Sequence, residues 1–214
     1  MKLKFFVLLL STMVILSCNN DSVSYVTIKT EYGNIKVELY NSTPNHKKNF
    51  LKLVKEGYYK DLLFHRVMSG FMIQGGDPQS RDAKPGQRLG TGGPDYKLDA
   101  EIGAPHFKGC LAAARQPDNI NPKKQSSGSQ FYLVQGTIQS DAQLDNFERM
   151  KGIKYNAAQR EKYKTIGGTP GLDNDYTVFG EVVEGMEVID KIAQEQVDQA
   201  NRPLKDIRMD IVKS

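Results

Sequence analysis

The stretch FHRVMSGFMIQGGD, Phe64 to Asp77, sets Arg66 at period two between Phe64 and Met68, with Gln74 further along. A guanidinium keeps its charge at every working pH and offers five N–H donors and no acceptor, so its chemistry is electrostatic. Read by strand alternation, the segment is two short strands joined at Ser69-Gly70 and closed at Gly75-Gly76-Asp77. Alternation also puts Arg66 on the same side as Phe64 and Met68. Such a cation is either a solvated strand arginine or a charge held beside an apolar pocket. The neighbouring His65 invites a general-base reading. His46 and His106 have no second ligand at metal spacing. Cys110, in the apolar run GCLAAA, reads as a packing residue and not as a reactive thiol.

These residues need elements to hold them. Tyr25–Thr30 and Asn34–Tyr40 alternate apolar and polar around Tyr32-Gly33-Asn34, which predicts a β-hairpin with one buried face. Thr43-Pro44 predicts a helix start with Thr43 as N-cap, an apolar face of Phe50, Leu51 and Val54, and a stop at Gly57. Pro78–Pro94 is loop. Further strands are predicted at Cys110–Ala114, Gln130–Gln135, Thr177–Val183 and Asp206–Val212. A second amphipathic helix follows Gly185 through Met186, Ile189, Ile192 and Ala193. Many strands with two core-facing helices predict a small antiparallel barrel covered by helices.

One segment breaks that rhythm. In Gln139–Ile166, Leu144, Phe147 and Met150 recur at helical spacing after Asp141, and Ala157, Ala158, Arg160 and Tyr163 follow Asn156. This predicts an inserted helical hairpin that packs through Leu144, Phe147 and Met150, with Asp145 and Arg149 as an i,i+4 pair. Its basic residues, Arg149, Lys151, Lys154, Arg160, Lys162 and Lys164, outnumber the acidic Asp141, Asp145, Glu148 and Glu161. The hairpin is therefore either plain packing or a positive rim that selects acidic clients.

Beyond the opening stretch the chain carries Gly90-Thr91-Gly92-Gly93, Gly109-Cys110-Leu111-Ala112-Ala113-Ala114 and Ser127-Gly128-Ser129-Gln130-Phe131-Tyr132. Leu172-Asp173 through Val178-Phe179-Gly180 completes the set. In this order, and over nearly everything from Val26 to Ile211, the chain resembles the cyclophilin family of peptidyl-prolyl isomerases. The resemblance implies a mainly β fold, a closed eight-stranded antiparallel β-barrel capped by two α-helices, with the substrate in a groove on the outer wall. It implies catalytic roles for Arg66, Gln74 and Gln130, and a proline pocket of Phe71, Met72, Tyr132 and Leu172. Ala114, Arg115 and Tyr176 would also contact substrate, the Ala114-Arg115 main chain pairing with the extended peptide. The partners implied are proline-containing peptides and folding proteins, and no cofactor is needed. Since rotation about an amide moves no proton, His65 is read as a structural hydrogen-bonding histidine. Gly90-Thr91-Gly92-Gly93 lacks the setting and the lysine of a phosphate loop and reads as a flexible wall beside the groove. Phe71, Met72 and Leu172 also read as plain core.

Some positions depart from the family pattern. Gly171 stands where many members carry a rim tryptophan, and the chain has no tryptophan. Tyr176 replaces a frequent histidine, Arg115 replaces an asparagine, and the loop from Gln116 to Gln125 is lengthened. None of these removes Arg66 or the pocket, so activity is expected, with weak cyclosporin binding at the bare rim. The rival reading is a module that binds prolyl segments without turning them over. A purely structural tether would leave the groove residues unexplained.

The N-terminus suggests location. Lys2 and Lys4 precede a run from Leu3 to Leu16 without an acidic residue, ending at Ser17-Cys18. The run is shorter than a comfortable membrane span, and a small residue before cysteine resembles a bacterial lipobox. The expected organisation is a signal peptide over residues 1–17, a lipidated tether over 18–24 starting at Cys18, and one isomerase domain over 25–214. Asn19 after the cysteine favours an outer-membrane, extracytoplasmic site. The chain carries 29 Lys+Arg and 25 Asp+Glu. Without Lys2 and Lys4 the side-chain excess is 27 − 25 = +2, too little for a nucleic-acid face. A monomer is expected.

Overall fold

The computed structural model describes residues 23–214; Cys18, its apolar run and the expected signal lie outside them. The chain begins with β1 (Ser24–Thr30), β2 (Gly33–Leu39) and α1 (Pro44–Lys55). β3 (Leu62–Leu63), β4 (Arg66–Met68), β5 (Met72–Gly75) and β6 (Lys97–Leu98) follow, then β7 (Cys110–Ala113), β8 (Ser126–Ser127) and β9 (Phe131–Val134). The insertion supplies α2 (Asp141–Lys151) and α3 (Ala157–Thr165), before β10 (Val178–Glu184), α4 (Met186–Ile192) and β11 (Arg208–Lys213).

Nine segments form one antiparallel sheet in the order β3-β11-β1-β2-β10-β7-β9-β5-β4, and β6-β8 form a separate pair. The sheet's two ends are halves of one stretch of chain. β3 pairs with β11, β4 pairs with β5, and only Phe64 and His65 separate them. The Phe64 N–H donates to the Ile207 carbonyl (2.9 Å) and the His65 N–H to the Gln74 carbonyl (3.0 Å). The curled sheet is thus joined edge to edge through Leu62–Met68, and counting that stretch once gives the expected eight strands.

The junction also breaks the alternation. Phe64 turns into the core with Val67, whereas Arg66 and Met68 face outward, so Arg66 does not share a side with Phe64 as period two predicts. Inside the sheet, Val26, Ile28, Ile35, Val37, Leu111, Leu133 and Ile211 pack together, and α1 and α4 add Phe50, Leu53, Val188 and Ile192. A second cluster lies on the outer face of β5, β7, β9 and β10, where Met72, Ala112, Tyr132, Val134 and Val178 meet Leu144, Tyr155 and Tyr163 of the insertion. One sheet therefore buries both faces, the inner within the barrel and the outer beneath α2 and α3.

The insertion is a helical hairpin as expected, with each helix started by a reciprocal capping box, Ser140 with Gln143 and Asn156 with Gln159. Its packing differs in detail. Leu144 is fully buried, Phe147 is half-buried, and Met150 is 68% exposed. Asp145 does not pair with Arg149; Arg160 reaches across from α3 to Asp145 (2.8 Å), Asp141 (2.9 Å) and Glu148 (3.1 Å). Lys151, Lys154, Lys162 and Lys164 also meet carboxylates. The expected positive rim is largely neutralised, which favours the packing role.

Thr43 is the N-cap of α1 by position, but its side chain makes no capping bond. Glu101 caps the helix instead, accepting from the Asn45 N–H (3.1 Å), the His46 N–H (3.0 Å) and His46 Nδ1 (2.6 Å). Burial alone would raise the Glu101 pKa, but the bonds from the His46 side chain and the two amides hold it below the usual carboxylate range. Burial lowers the His46 pKa, so the folded pair is a carboxylate and a neutral imidazole. Glu101→Gln is expected to cost about 1–3 kcal/mol at neutral pH. Because the folded pKa is depressed, this difference is fully present above the ordinary carboxylate pKa and vanishes as pH falls through the folded value. Urea midpoints of both proteins across the acid range check it; a constant gap would refute the charge-based cap.

Candidate active site

The register of the outer-facing residues builds the site. Arg66 on β4 stands opposite Gln74 on β5, Gln74 opposite Tyr132 on β9, and Tyr132 opposite Ala112 on β7. Arg66 Nη1 donates to Gln74 Oε1 (3.2 Å) and Nη2 to the sulfur of Met68 (3.0 Å). Gln74 Nε2 donates to Gln130 Oε1 (3.1 Å), and Gln130 Nε2 to the Gly92 carbonyl (2.7 Å). Arg66, Gln74 and Gln130 are therefore one hydrogen-bonded row. Among the described residues Arg66 makes no ion pair with a carboxylate.

Beside this row lies a cavity of about 90 Å³ lined by Arg66, Phe71, Met72, Gln74, Ala114, Arg115, Tyr132, Leu172 and Tyr176. The structure thus gathers nine of the ten groove residues around one hollow, and Gln130 lines a larger cleft of about 400 Å³ that shares Gln74, Ala114 and Arg115 with it. Met72 and Tyr132 are also buried members of the outer cluster, so they pack in a core as well as lining the hollow. The backbone N–H and C=O of Arg115 have no partner among the described residues, which leaves them free for an extended peptide. Its side chain is committed elsewhere. It donates to the Asp175 carbonyl (2.6 Å) and to Asp118 (2.5 Å), and its guanidinium lies 4.6 Å from the centre of the Tyr176 ring.

The Gly90–Gly93 wall is tied down rather than flexible. Fully buried Asp77 accepts from the Gly90 N–H (2.5 Å) and the Gly92 N–H (3.2 Å). A Cβ on residue 92 would lie 2.1 Å from Asp77 Oδ1, so only glycine fits there. At the bare rim, a Cβ on Gly171 would lie 3.3 Å from the Phe147 ring. The insertion thus brings an aromatic surface to that place, though without an N–H donor.

Sequence reasoning missed two histidine–carboxylate pairs, His46 with Glu101 and His106 with Asp173, whose members lie 55 and 67 residues apart. Neither spacing carries a local signal. It also missed Tyr155 and Tyr163, whose hydroxyls each donate to Asp173 Oδ2 (2.6 Å).

The comparisons with known proteins agree with this geometry. The family model for "Cyclophilin type peptidyl-prolyl cis-trans isomerase/CLD" matches residues 25–214. A Staphylococcus aureus (strain USA300) protein, provisionally named a peptidyl-prolyl cis-trans isomerase, is 31% identical over 85% of this chain and 87% of its own length. A Streptococcus pyogenes protein, provisionally named a bifunctional phosphatase/peptidyl-prolyl cis-trans isomerase, is 34% identical over 92% of this chain, which spans 40% of that longer relative. The crystal structure of a Cryptosporidium parvum cyclophilin-type isomerase superposes with a TM-score of 0.64 at 28% identity, covering 90% of this chain and 98% of that one. A second structure of that protein was determined in the presence of the dipeptide Ala-Pro (TM-score 0.62). The chain belongs to the cyclophilin-type peptidyl-prolyl cis-trans isomerases.

His65 differs from its expected role. Neither ring nitrogen has a hydrogen-bond partner among the described residues, and burial pushes its pKa down to about 4. A histidine whose folded pKa lies below its unfolded value of about 6.5 takes up its proton first in the unfolded chain. Stability should therefore fall as pH drops from about 6.5 to 4, His65 contributing on the order of 3 kcal/mol. His65→Phe should flatten that slope in urea titrations. An unchanged slope would assign the acid sensitivity to other groups.

Proposed function

We propose that Arg66 accelerates rotation of X–Pro bonds whose proline ring sits among Phe71, Met72, Tyr132 and Leu172, in client proteins outside the cytoplasm. The observation that carries this reading is a guanidinium with no carboxylate partner among the described residues, on the rim of a hollow whose walls include Phe71, Met72, Tyr132 and Leu172. A planar X–Pro amide resists rotation by ~18–20 kcal/mol because the nitrogen lone pair is delocalised into the carbonyl. In the twisted state that lone pair is localised on nitrogen and can accept a hydrogen bond. Arg66 retains N–H donors beyond those on Gln74 and Met68, and it finds a strong acceptor only in the twisted state. That is differential binding, each ~1.4 kcal/mol of which gives a factor of ten in rate.

The pocket holds the ring still, so the acyl side turns. Gln74 aims the guanidinium, and Gln130 stands near the rotating carbonyl. The free main chain of Arg115 fixes the flanking peptide as an added strand. The lipobox-like Ser17-Cys18 after an apolar run supports a lipid-anchored, extracytoplasmic protein that assists folding of envelope or secreted chains.

Arg66→Ala is expected to lower turnover of an Ala-Pro tetrapeptide by ~10²-fold while peptide affinity changes far less. Arg66→Lys should recover only part, since an ammonium lacks the planar fork. A folded Arg66→Ala protein with undiminished turnover would sink the mechanism, and an inactive wild type that still binds the peptide would favour a binding module. For location, wild type should partition into detergent and Cys18→Ala into the aqueous phase. Aqueous wild type would count against the anchor.

A further inference from the structure

Tyr132 lines the hollow, and its hydroxyl joins a buried network. That hydroxyl lies 3.0 Å from His106 Nε2, and the two rings stack at an interplanar angle of 14°. His106 is fully buried, and its Nδ1 lies 2.9 Å from Oδ1 of Asp173, itself 4% exposed. The same oxygen accepts the His106 main-chain N–H (2.7 Å). The other, Oδ2, accepts the hydroxyls of Tyr155 and Tyr163 (2.6 Å each), both contributed by the insertion.

The donor inventory gives this chain a direction. An ionised carboxylate only accepts, so His106 Nδ1 must carry hydrogen toward Asp173. A neutral imidazole then presents a lone pair at Nε2, and the Tyr132 O–H donates to it. The tautomer of His106 is thus set by Asp173, and Asp173 is held by two hydroxyls from the insertion. Asp173 also adjoins Leu172, another wall of the hollow. Two residues on, Asp175 is fastened by Lys124 (2.5 Å) and by Lys151 at the end of α2.

We infer that Tyr155, Tyr163, Asp173 and His106 are positioning residues for the prolyl pocket. The inserted hairpin sets the placement of Tyr132 and Leu172 through a buried tyrosine–aspartate–histidine–tyrosine relay. None of the four lines the hollow, so they act through the two walls that do. The inference rests on the reading of that hollow as the proline site, but its test includes readouts that need no turnover.

The experiment is a double-mutant cycle between the two ends of the relay, read in an Ala-Pro tetrapeptide assay and by peptide titration. Tyr163→Phe removes a hydroxyl and keeps the ring. It is expected to lower kcat/KM by about five- to tenfold, mainly through KM, because Arg66 and Gln74 are untouched and the pocket wall is not. Peptide affinity should weaken in parallel. Tyr132→Phe cuts the relay at the pocket end, and in that background Tyr163→Phe should cost less than about twofold more. NMR of the imidazole nitrogens should find His106 protonated at Nδ1 in wild type and changed in Asp173→Asn. If Asp173→Asn fails to fold, Tyr155→Phe supplies the second entry to the cycle. An equal loss from Tyr163→Phe in both backgrounds would overturn the inference. So would a lowered Tm with unchanged KM, or a His106 protonated only at Nε2. An inactive Arg66→Ala with this cycle intact would leave both readings standing, whereas a failed cycle with active wild type removes only the relay.

Discussion

The Phe64 and His65 main-chain N–H groups donate to different strands, and most of the architecture follows from that divergence. Phe64 bonds toward β11 and His65 toward β5, so one stretch of chain belongs to both ends of the sheet. The sheet can then curl around its core without leaving these two edges open, a need shared by all antiparallel folds of this size. The same divergence shifts the side-chain parity by one residue. Val67 and Ile73 fill the interior, and Arg66, Gln74 and Tyr132 come together outside.

A permanent cation beside this hollow keeps its full field there only if no carboxylate pairs with it. Three carboxylates, Asp77, Glu101 and Asp173, are buried or nearly so, and each is satisfied by other donors. Asp77 takes the amides of Gly90 and Gly92, Glu101 takes His46 and the first turn of α1, and Asp173 takes His106 and two tyrosines. Buried carboxylates are costly unless fully hydrogen-bonded, and here the partners are amides, imidazoles and phenols. None of the three is paired with Arg66. These carboxylates order the Gly90–Gly93 wall, the α1 start and the segment next to Leu172, and their hydrogen bonds go to groups other than the guanidinium.

The insertion shows how far an addition to a barrel can be integrated. Its charges are mostly spent on one another, Arg160 alone meeting three carboxylates. Its apolar residues cover the outer face of β5, β7, β9 and β10, and Phe147 lies against Gly171. A decorated loop would pack at its base and stop there. This one reaches Asp173, the neighbour of the Leu172 wall, with two hydroxyls and the rim with a ring.

Much of this was legible in the sequence, for reasons that are local. Period-two alternation in Tyr25–Thr30 and Asn34–Tyr40, turn glycines, the helix start at Thr43-Pro44 and the helical spacing after Asp141 and Asn156 act over a few residues, so the hairpin, the helices and the inserted pair could be read directly. Arg66 and Gln74 face each other because they belong to one short hairpin whose register its turn fixes. Tertiary structure alone decided which side Arg66 occupies, since that depends on bonds to Ile207 and Gln74 and not on the alternation around it. It decided the partners of His46 and His106, the cap of α1 by Glu101 and the exposure of Met150. Each of these joins residues from distant parts of the chain, or depends on how two elements dock, and such encounters leave no periodic mark in the sequence.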